Sequence, residues 1–274
     1  MRIHALETGK VSIKEEQRRA RSDAYPLRLA TTMVSRHWTE PLPILAWVIE
    51  HDEGLIVVDT GETVRAMGPG YFPAWHPYPR FAVKFDITDE QQIDPLMKKA
   101  GLSTDDVRWV VITHLHTDHA GGLHSFPRAE VLVTRREYDT ATGLGGRIAG
   151  YLPNRWPGWF APRLVDHTGP ALGGFDSSLR LTKAGDVHLV PTFGHTPGHQ
   201  SVIVNDGDRQ VFIAGDTSYD QESLLAGAVD GVCSSAKRAR QVSQVVRSYL
   251  DASGAAYLPT HDPNSERRLA AEQA

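Results

Sequence analysis

Four side chains that can bind a metal ion, His114, His116, Asp118 and His119, stand within six positions of one another. They follow an apolar stretch over residues 107–113 that has the composition of a buried strand. Neutral imidazole and carboxylate groups are the ligands that divalent zinc favours. Four such groups so close together at a strand end favour a metal site over a polar surface turn with chance histidines.

Three further candidate ligands, His195, Asp216 and His261, stand singly in the second half of the chain. Each follows a short apolar stretch that predicts a strand. If these strands share one edge of the core with the strand over 107–113, all seven side chains meet there. The repeated position at strand ends therefore predicts one composite metal site.

The elements that position these residues are short strands and helices. Two β-rich runs around a Gly-containing loop, at 44–49 and 55–58, predict a hairpin. Further strands are predicted over 107–113, 130–134, 187–191, 201–204, 210–214 and 256–259. Helical spacing of apolar residues predicts one helix from Thr88 to a cap at Gly101 and another over 235–252. Strands in both halves, each set followed by helices, predict two packed sheets with helices outside.

Three stretches lack this periodicity. We expect the first 40 residues to form edge strands and loops that cover the core. Residues 62–87 and 151–160 are irregular and rich in aromatic side chains. Long irregular segments of this kind either pack their own rings or line a substrate pocket, and both interpretations stay open for residues 62–87.

The bulk composition excludes several classes of protein. With 274 residues and 41% hydrophobic side chains, the chain can bury a large core, and we predict one domain over residues 1–274. A net charge of −4 gives no electrostatic reason to expect nucleic acid or an anionic membrane as a partner. Cys233 is the only cysteine, so no internal disulfide can form.

No targeting or membrane segment is evident. The basic cluster Arg18, Arg19 and Arg21 is not followed by a hydrophobic run, which argues against a secretory signal. No stretch approaches the roughly 20 apolar residues that a membrane span needs. We therefore expect a cytoplasmic protein, and the sequence leaves a homodimer open.

The order of the motifs resembles that of the metallo-β-lactamase superfamily. The pattern His-x-His-x-Asp-His, then His, Asp and His, is similar to its metal ligands, and Asp59-Thr60-Gly61 resembles the end of its first motif. The resemblance runs over residues 44–262. It implies an α+β fold, the αββα sandwich, in which two mixed sheets pack face to face with helices outside and metals bind at one edge.

The resemblance also implies a set of metal ligands. Those implied are His114, His116 and His195 for one cation, Asp118, His119 and His261 for the other, and Asp216, with a water or hydroxide, for both. Asp59 and His199 are expected to support the site rather than to bind metal, Asp59 by orienting the strand end or a ligand imidazole. The cofactors we expect are two divalent ions, with zinc preferred, although manganese, cobalt and iron also suit such ligands.

Two cations that share a hydroxide supply a nucleophile near neutral pH without a serine or cysteine. Such a site can hydrolyse lactones, esters, thioesters, β-lactams or phosphodiesters, so the fold alone does not choose the substrate. Asp216 in place of cysteine argues against a secreted β-lactamase, and His116 in place of glutamate argues against the di-iron enzymes. The negative charge argues against the nuclease branches.

Residues 194–201 and 216–219 resemble segments of the N-acyl-homoserine lactonases. That resemblance implies a quorum-quenching lactonase in which Tyr219 assists at the lactone carbonyl or the departing oxygen and Asp118 delivers a proton. The main alternative is a thioester or other carboxylic-ester hydrolase of the glyoxalase II type. A third hypothesis is a metal-binding protein without catalytic turnover.

Overall fold

The computed structural model describes residues 1–273, and Ala274 lies outside the described part. These residues divide into two compact units. Unit 1 contains Met1–Ile13 and Trp38–Leu164, and unit 2 contains Lys14–His37 and the chain from Val165 on. One domain over residues 1–274 therefore stays a prediction.

Strands are numbered in chain order over residues 1–273. They are β1 (Arg2–Ile13), β2 (Leu42–Glu50), β3 (Leu55–Val58), β4 (Val83–Asp86), β5 (Val107–Val111), β6 (Glu130–Thr134), β7 (Arg163–Val165), β8 (Leu179–Arg180), β9 (Val187–Pro191), β10 (Gln200–Asp206), β11 (Arg209–Gly215) and β12 (Ala256–Pro259). The first seven form one sheet and the last five form another.

The helices are numbered in the same way. They are α1 (Glu15–Arg18), α2 (Tyr25–Val34), α3 (Pro77–Phe81), α4 (Ile93–Lys99), α5 (Thr117–Ala120), α6 (Arg135–Thr142), α7 (Gln221–Leu225), α8 (Ala236–Ser253) and α9 (Ser265–Gln273). Within residues 1–273 no helix combines the length and the apolar character that crossing a bilayer requires.

The sheet of unit 1 has the order β4-β1-β2-β3-β5-β6-β7. The predicted hairpin is present, because β2 and β3 pair antiparallel, whereas β3, β5 and β6 run parallel. Ile93 and Met97 of α4 pack in one apolar cluster with Val57 and Val110 from the centre of the sheet. Removing such side chains from water stabilises the unit by about 1.5–3 kcal/mol each. The parallel strands bring the residues that follow β3 and β5 to one edge.

The sheet of unit 2 has the order β12-β11-β10-β9-β8, with β11 and β12 parallel and the other pairs antiparallel. The predicted helix over 235–252 is α8. Ser235 accepts a hydrogen bond from the backbone of Arg238 at its start, and Gly254 ends it with a φ of 68°. Val246 and Tyr249 of α8 pack in one cluster with Phe212 of β11. Both sheets are mixed, as predicted.

Two predictions for the irregular stretches were wrong. The strand β1 lies between β4 and β2 and is not at an edge, and residues that were expected to be loops form α1 and α2. Residues 62–87 contain the strand β4, whose four residues pair with Lys10–Ile13 at the end of β1. Such pairings join segments that are far apart in the chain. The sequence pattern of either segment alone therefore does not predict which strand it pairs with.

Candidate metal centre

The four clustered candidate ligands of unit 1 lie where β5 ends. The segment from His114 to His119 follows this strand directly, and α5 begins within it at Thr117. The adjacent parallel strand β3 ends beside it, since the backbone N–H of Asp59 donates to the carbonyl of Val111 at 2.9 Å. The edge predicted from the strand pattern is therefore present in this unit.

The carboxylate of Asp59 holds this turn together. One oxygen accepts from the backbone N–H of Thr113 at 2.8 Å, and the other accepts from the Thr113 hydroxyl and from His119 Nδ1, both at 2.8 Å. A carboxylate only accepts hydrogen bonds, so the Nδ1 of His119 carries the proton and its Nε2 presents a lone pair. This confirms that Asp59 orients a candidate ligand imidazole.

Asp59 reaches these partners through an uncommon backbone conformation. Its φ is 57°, in the left-handed region, and it is the only non-glycine residue with a positive φ in the described part of the chain. Aspartate tolerates this region better than most residues, at a cost of about 1–2 kcal/mol. The side chain is 1% exposed. The three hydrogen bonds of the carboxylate account for a conformation that the sequence alone does not favour.

His114 and His116 direct two imidazole nitrogens at one small volume. The Nε2 of His114 lies 3.0 Å from the Nδ1 of His116. Because the Thr113 hydroxyl donates to Asp59, its oxygen accepts from His114 Nδ1 at 3.2 Å, which leaves a lone pair on His114 Nε2. The donor set of this turn fits a divalent cation of borderline softness.

Contacts to the backbone fix the shape of the turn. The carboxylate of Glu137, from the start of α6, accepts from the backbone N–H of Leu115 at 3.0 Å. Glycine is required after α5, because a Cβ on Gly122 would lie 2.3 Å from the carbonyl oxygen of Thr60. The turn therefore depends on residues at two other strand ends, those after β3 and β6.

A buried carboxyl group, Glu62, lies beside the turn. Burial raises its pKa to about 8, and contacts with Thr117, the backbone of Thr63 and Tyr71 lower it only in part. The Tyr71 hydroxyl donates to Glu62 at 3.1 Å, and the Thr63 N–H donates to it at 2.9 Å. Glu62 is therefore protonated at neutral pH in the metal-free chain.

The three isolated candidate ligands of unit 2 follow three strands whose carboxyl ends share one edge. The strands β11 and β12 are parallel, and β9 runs in the same direction because both it and β11 are antiparallel to β10. His195 follows β9, Asp216 follows β11 and His261 follows β12. The sheet therefore brings together residues that the sequence separates.

Asp216 lies between the two histidines. One of its carboxylate oxygens is 3.5 Å from the Nε2 of His195, and the other is 3.5 Å from the Nε2 of His261. All three side chains are nearly inaccessible to solvent, with exposures of 4%, 2% and 1% respectively. A carboxylate that turns one oxygen to each of two imidazoles has the form of a ligand that two cations can share.

Two neighbours orient these groups. The Nδ1 of His195 lies 3.1 Å from a carboxylate oxygen of Asp230, which leaves the Nε2 of His195 facing Asp216. His199 uses both of its ring nitrogens, because its Nε2 accepts from the backbone N–H of Asp216 at 3.0 Å and its Nδ1 lies 2.8 Å from the Thr192 hydroxyl. The predicted supporting role of His199 is confirmed.

Tyr219 packs against the same group. Its ring centroid is 5.3 Å from that of His261 and 6.3 Å from that of His195, and its side chain is 5% exposed. The tyrosine is therefore buried beside two candidate ligands.

The clusters of His and Asp that could hold a metal ion draw on seven residues in the described part of the chain. They are His114, His116, Asp118, His119, His195, Asp216 and His261. These are the ligands predicted from the sequence. The residues that sequence reasoning missed are Asp230 and Glu137, which lie 35 and 22 positions from their partners and belong to no motif. No local pattern signals a contact of that kind.

The chain is similar to known proteins over most of its length. A model of the metallo-β-lactamase superfamily matches residues 39–261. A probable metallo-hydrolase of Mycobacterium tuberculosis is 36% identical over 184 residues, which are 65% of this chain and 57% of that protein. The chain thus spans little more than half the length of this relative. The N-acyl homoserine lactonase AttM of Agrobacterium fabrum is 27% identical over 82% of this chain and 83% of its own length.

Solved structures show the same fold. An N-acyl homoserine lactone hydrolase with the product N-hexanoyl-L-homoserine at its catalytic metal centre has a TM-score of 0.75 and 19% identity, over 97% of this chain and 94% of that chain. AidC, a dizinc quorum-quenching lactonase, has a TM-score of 0.65 and 18% identity, over 95% and 87%. The fold predicted from the sequence is therefore confirmed.

Proposed function

Because the chain belongs to the metallo-β-lactamase superfamily, we propose that it is a metal-dependent hydrolase that opens the ring of a lactone, in particular an N-acyl-homoserine lactone. Three findings support the proposal. AttM and several Bacillus relatives are named as lactonases of this kind. A protein of the same fold holds the ring-opened product at its metal centre. The residues of the two candidate ligand sets have the chemistry that this reaction needs.

The cofactors in this proposal are two divalent cations, with zinc as the preferred metal. The proposed ligands are His114, His116 and His195 for one cation, Asp118, His119 and His261 for the other, and Asp216 for both. Asp59 contacts the Nδ1 of His119, and Asp230 contacts the Nδ1 of His195. In each imidazole the Nε2 is then the nitrogen that can bind a cation, which supports this assignment. When bound, the cations supply a hydroxide nucleophile near neutral pH and polarise the scissile carbonyl.

The observation that carries the proposal is the position of Tyr219 within unit 2. Its ring lies against His195 and His261, two proposed ligands. A phenolic hydroxyl beside the reacting carbonyl stabilises the negative charge that develops on the carbonyl oxygen. In the proposed reaction Tyr219 would supply this donor.

Asp118 has a second role in the proposed reaction. Its side chain is 19% exposed, whereas that of its neighbour His119 is fully buried. An accessible carboxylate can take a proton from the attacking water and deliver it to the departing ring oxygen. The lactone and one water thereby become a hydroxy acid, with no other reactant.

Apolar side chains of unit 1 are suited to an acyl chain. The ring centroid of Tyr151 lies 5.1 Å from that of His116, and Trp156 and Phe160 pack together nearby in the sequence. Tyr71 and Phe72 of the other aromatic stretch pack in one apolar cluster with Leu152. We therefore propose that side chains of both stretches, 151–160 and 62–87, line the acyl-binding wall.

A substrate panel tests the proposal. The purified protein, with its metal content measured on the same sample, would be assayed on N-acyl-homoserine lactones from short to long acyl chains and on acyl-glutathione thioesters. We expect kcat/KM for the preferred lactone to exceed that for the thioesters by about 100-fold or more, because binding energy of the correct ring is realised in the transition state. A thioester preference would instead identify the glyoxalase II type, and full metal loading without any hydrolysis would identify a binding protein.

A further inference from the structure

The segment that begins with α1 contacts the loop that carries Tyr219, and both lie in unit 2. The side-chain amide of Gln17 donates to the Tyr219 hydroxyl at 2.8 Å, and this hydrogen bond is buried. The next residue, Arg18, donates to the carboxylate of Asp220 at 2.7 Å. Arg19 donates to the hydroxyl of Ser223 at 3.1 Å. Three consecutive side chains therefore bind one short stretch, residues 219–223, which ends in α7, and one of them contacts the proposed catalytic tyrosine.

The backbone on both sides holds Gln17 in place. Its carbonyl accepts from the N–H of Gly231 at 2.7 Å, and a Cβ on Gly231 would lie 2.4 Å from the carbonyl oxygen of Glu16. The residue before this glycine is Asp230, which contacts His195. The adjacent residues Asp230 and Gly231 therefore contact a proposed ligand, His195, and the residue that contacts Tyr219, Gln17.

Stability does not explain a glutamine at this position. The side chain is 2% exposed, and its amide oxygen has no hydrogen-bond partner in the described part of the chain. A buried acceptor without a partner costs free energy that an apolar side chain of the same length would avoid. The amide N–H that reaches Tyr219 is the feature that such a replacement would lose.

We propose that Gln17 is a positioning residue that fixes the Tyr219 hydroxyl as a hydrogen-bond donor to the substrate, an inference that rests on the proposed lactonase function. A hydroxyl has one proton and two lone pairs. Because its oxygen accepts from Gln17, its own proton is kept for a second partner. A donor that itself accepts a hydrogen bond is also more polarised, so it stabilises a developing oxyanion better.

The test is a double-mutant cycle on the metal-loaded enzyme. Gln17→Met keeps the length of the side chain and removes the N–H, and Tyr219→Phe removes the hydroxyl. We expect Tyr219→Phe to lower kcat by about 10- to 1000-fold with metal content unchanged, as for the loss of one oxyanion donor. Gln17→Met should lower kcat by about 3- to 10-fold with little change in KM, the scale of one hydrogen bond. In the Tyr219→Phe background the same substitution should have no further effect on kcat.

One more variant separates the hydrogen bond to Tyr219 from simple anchoring of the segment. Arg19→Met is the matched control, since it removes an anchor of the same segment to the same loop without touching Tyr219. Its kcat should equal that of the wild type.

The outcomes are distinguishable. Equal losses from Gln17→Met in the wild-type and Tyr219→Phe backgrounds would overturn the inference, as would a comparable loss from Arg19→Met. A wild-type enzyme that is fully metal-loaded yet opens no lactone would instead overturn the proposed function, and with it the catalytic meaning of the contact.

Discussion

The two units present their candidate ligands in different ways. In unit 1 a single turn after β5 carries His114, His116, Asp118 and His119. In unit 2 the ends of three strands carry one ligand each, and the hydrogen-bonded order of β9, β10, β11 and β12 brings them together. The first set is encoded by adjacent residues and the second by the topology of a sheet. A motif is therefore detectable in the first case and only a recurring position in the second.

The supporting carboxylates differ in the same sense. Asp59 is 1% exposed, adopts a positive φ and accepts hydrogen bonds from both Thr113 and His119. The Asp230 side chain is 9% exposed and contacts His195 and the backbone N–H of Val232. Asp59 thus orders a whole turn, whereas Asp230 orients one imidazole.

The largest effect is expected at the carboxylate that faces both imidazoles of unit 2. Asp216→Ala should lower kcat by on the order of 1000-fold or more, because Asp216 is the proposed ligand of both cations, and the cation pair supplies several kcal/mol of the reduction in the reaction barrier. Metal analysis should show loss of at least one cation. The control is Asp206→Asn, at the far end of β10 in the same sheet, which should keep wild-type activity. Normal metal content and turnover in Asp216→Ala would exclude it as a ligand.

A smaller effect is expected when the two supporting carboxylates are neutralised. Asp59→Asn should lower metal affinity by about 100-fold and Asp230→Asn by about 10-fold, the upper and lower ends of the range for residues that orient metal ligands. Asparagine tolerates a positive φ, so the backbone at position 59 is kept. Titration of the metal-free variants with zinc measures both affinities. Equal losses at the two positions would remove the proposed difference between the units.

The smallest effect concerns the stability of unit 1 and not turnover. The pKa of Glu62 is raised by burial to about 8 from an ordinary value of 4.5, so between these values the side chain of Glu62 holds a proton in the folded chain that it has lost in the unfolded chain. The contribution of Glu62 to the unfolding free energy therefore falls as pH rises through this window. In the metal-free protein, Glu62→Gln should remove a fall on the order of 2 kcal/mol between pH 5 and pH 7.

Denaturant unfolding at several pH values measures this slope. Glu90→Gln, at an exposed carboxyl whose pKa is lowered by local hydrogen bonds, is the matched control and should leave the fall in place. Equal slopes in the wild type and in Glu62→Gln would show that Glu62 is ionised. The buried imidazole of His167 in unit 2, whose pKa burial lowers to about 4, adds a rise in stability over part of this range that is common to both proteins.

Much of the fold was predictable from local patterns. The strands over 130–134, 187–191 and 256–259 have the predicted bounds, and the long helix of unit 2 differs from its prediction by one residue at each end. The spacing of apolar residues within each of these segments is enough to predict a strand or a helix. Edge strands were predicted in the first 40 residues, but β1 lies between β4 and β2, a place that depends on a partner some 70 positions away. No feature of β1 itself distinguishes an interior strand from an edge strand.

The same distinction between local patterns and contacts over long separations applies to the candidate site. The role of Asp59 followed from a motif at a strand end, and that of His199 from its place beside His195. The contacts of Gln17, Glu137 and Asp230 span 202, 22 and 35 positions. The sequence shows Gln17 only as a neighbour of a basic cluster, since nothing in its own segment points to Tyr219.

By itself the sequence determined which side chains are candidate metal ligands and that they follow strands, because ligand chemistry and strand periodicity are local properties of the chain. Only the tertiary structure decided which carboxylate orients which imidazole and which amide contacts the tyrosine. The physical reason is that a hydrogen bond depends on distances of about 3 Å and on direction. Strand pairing and packing set those quantities between residues that the chain keeps far apart.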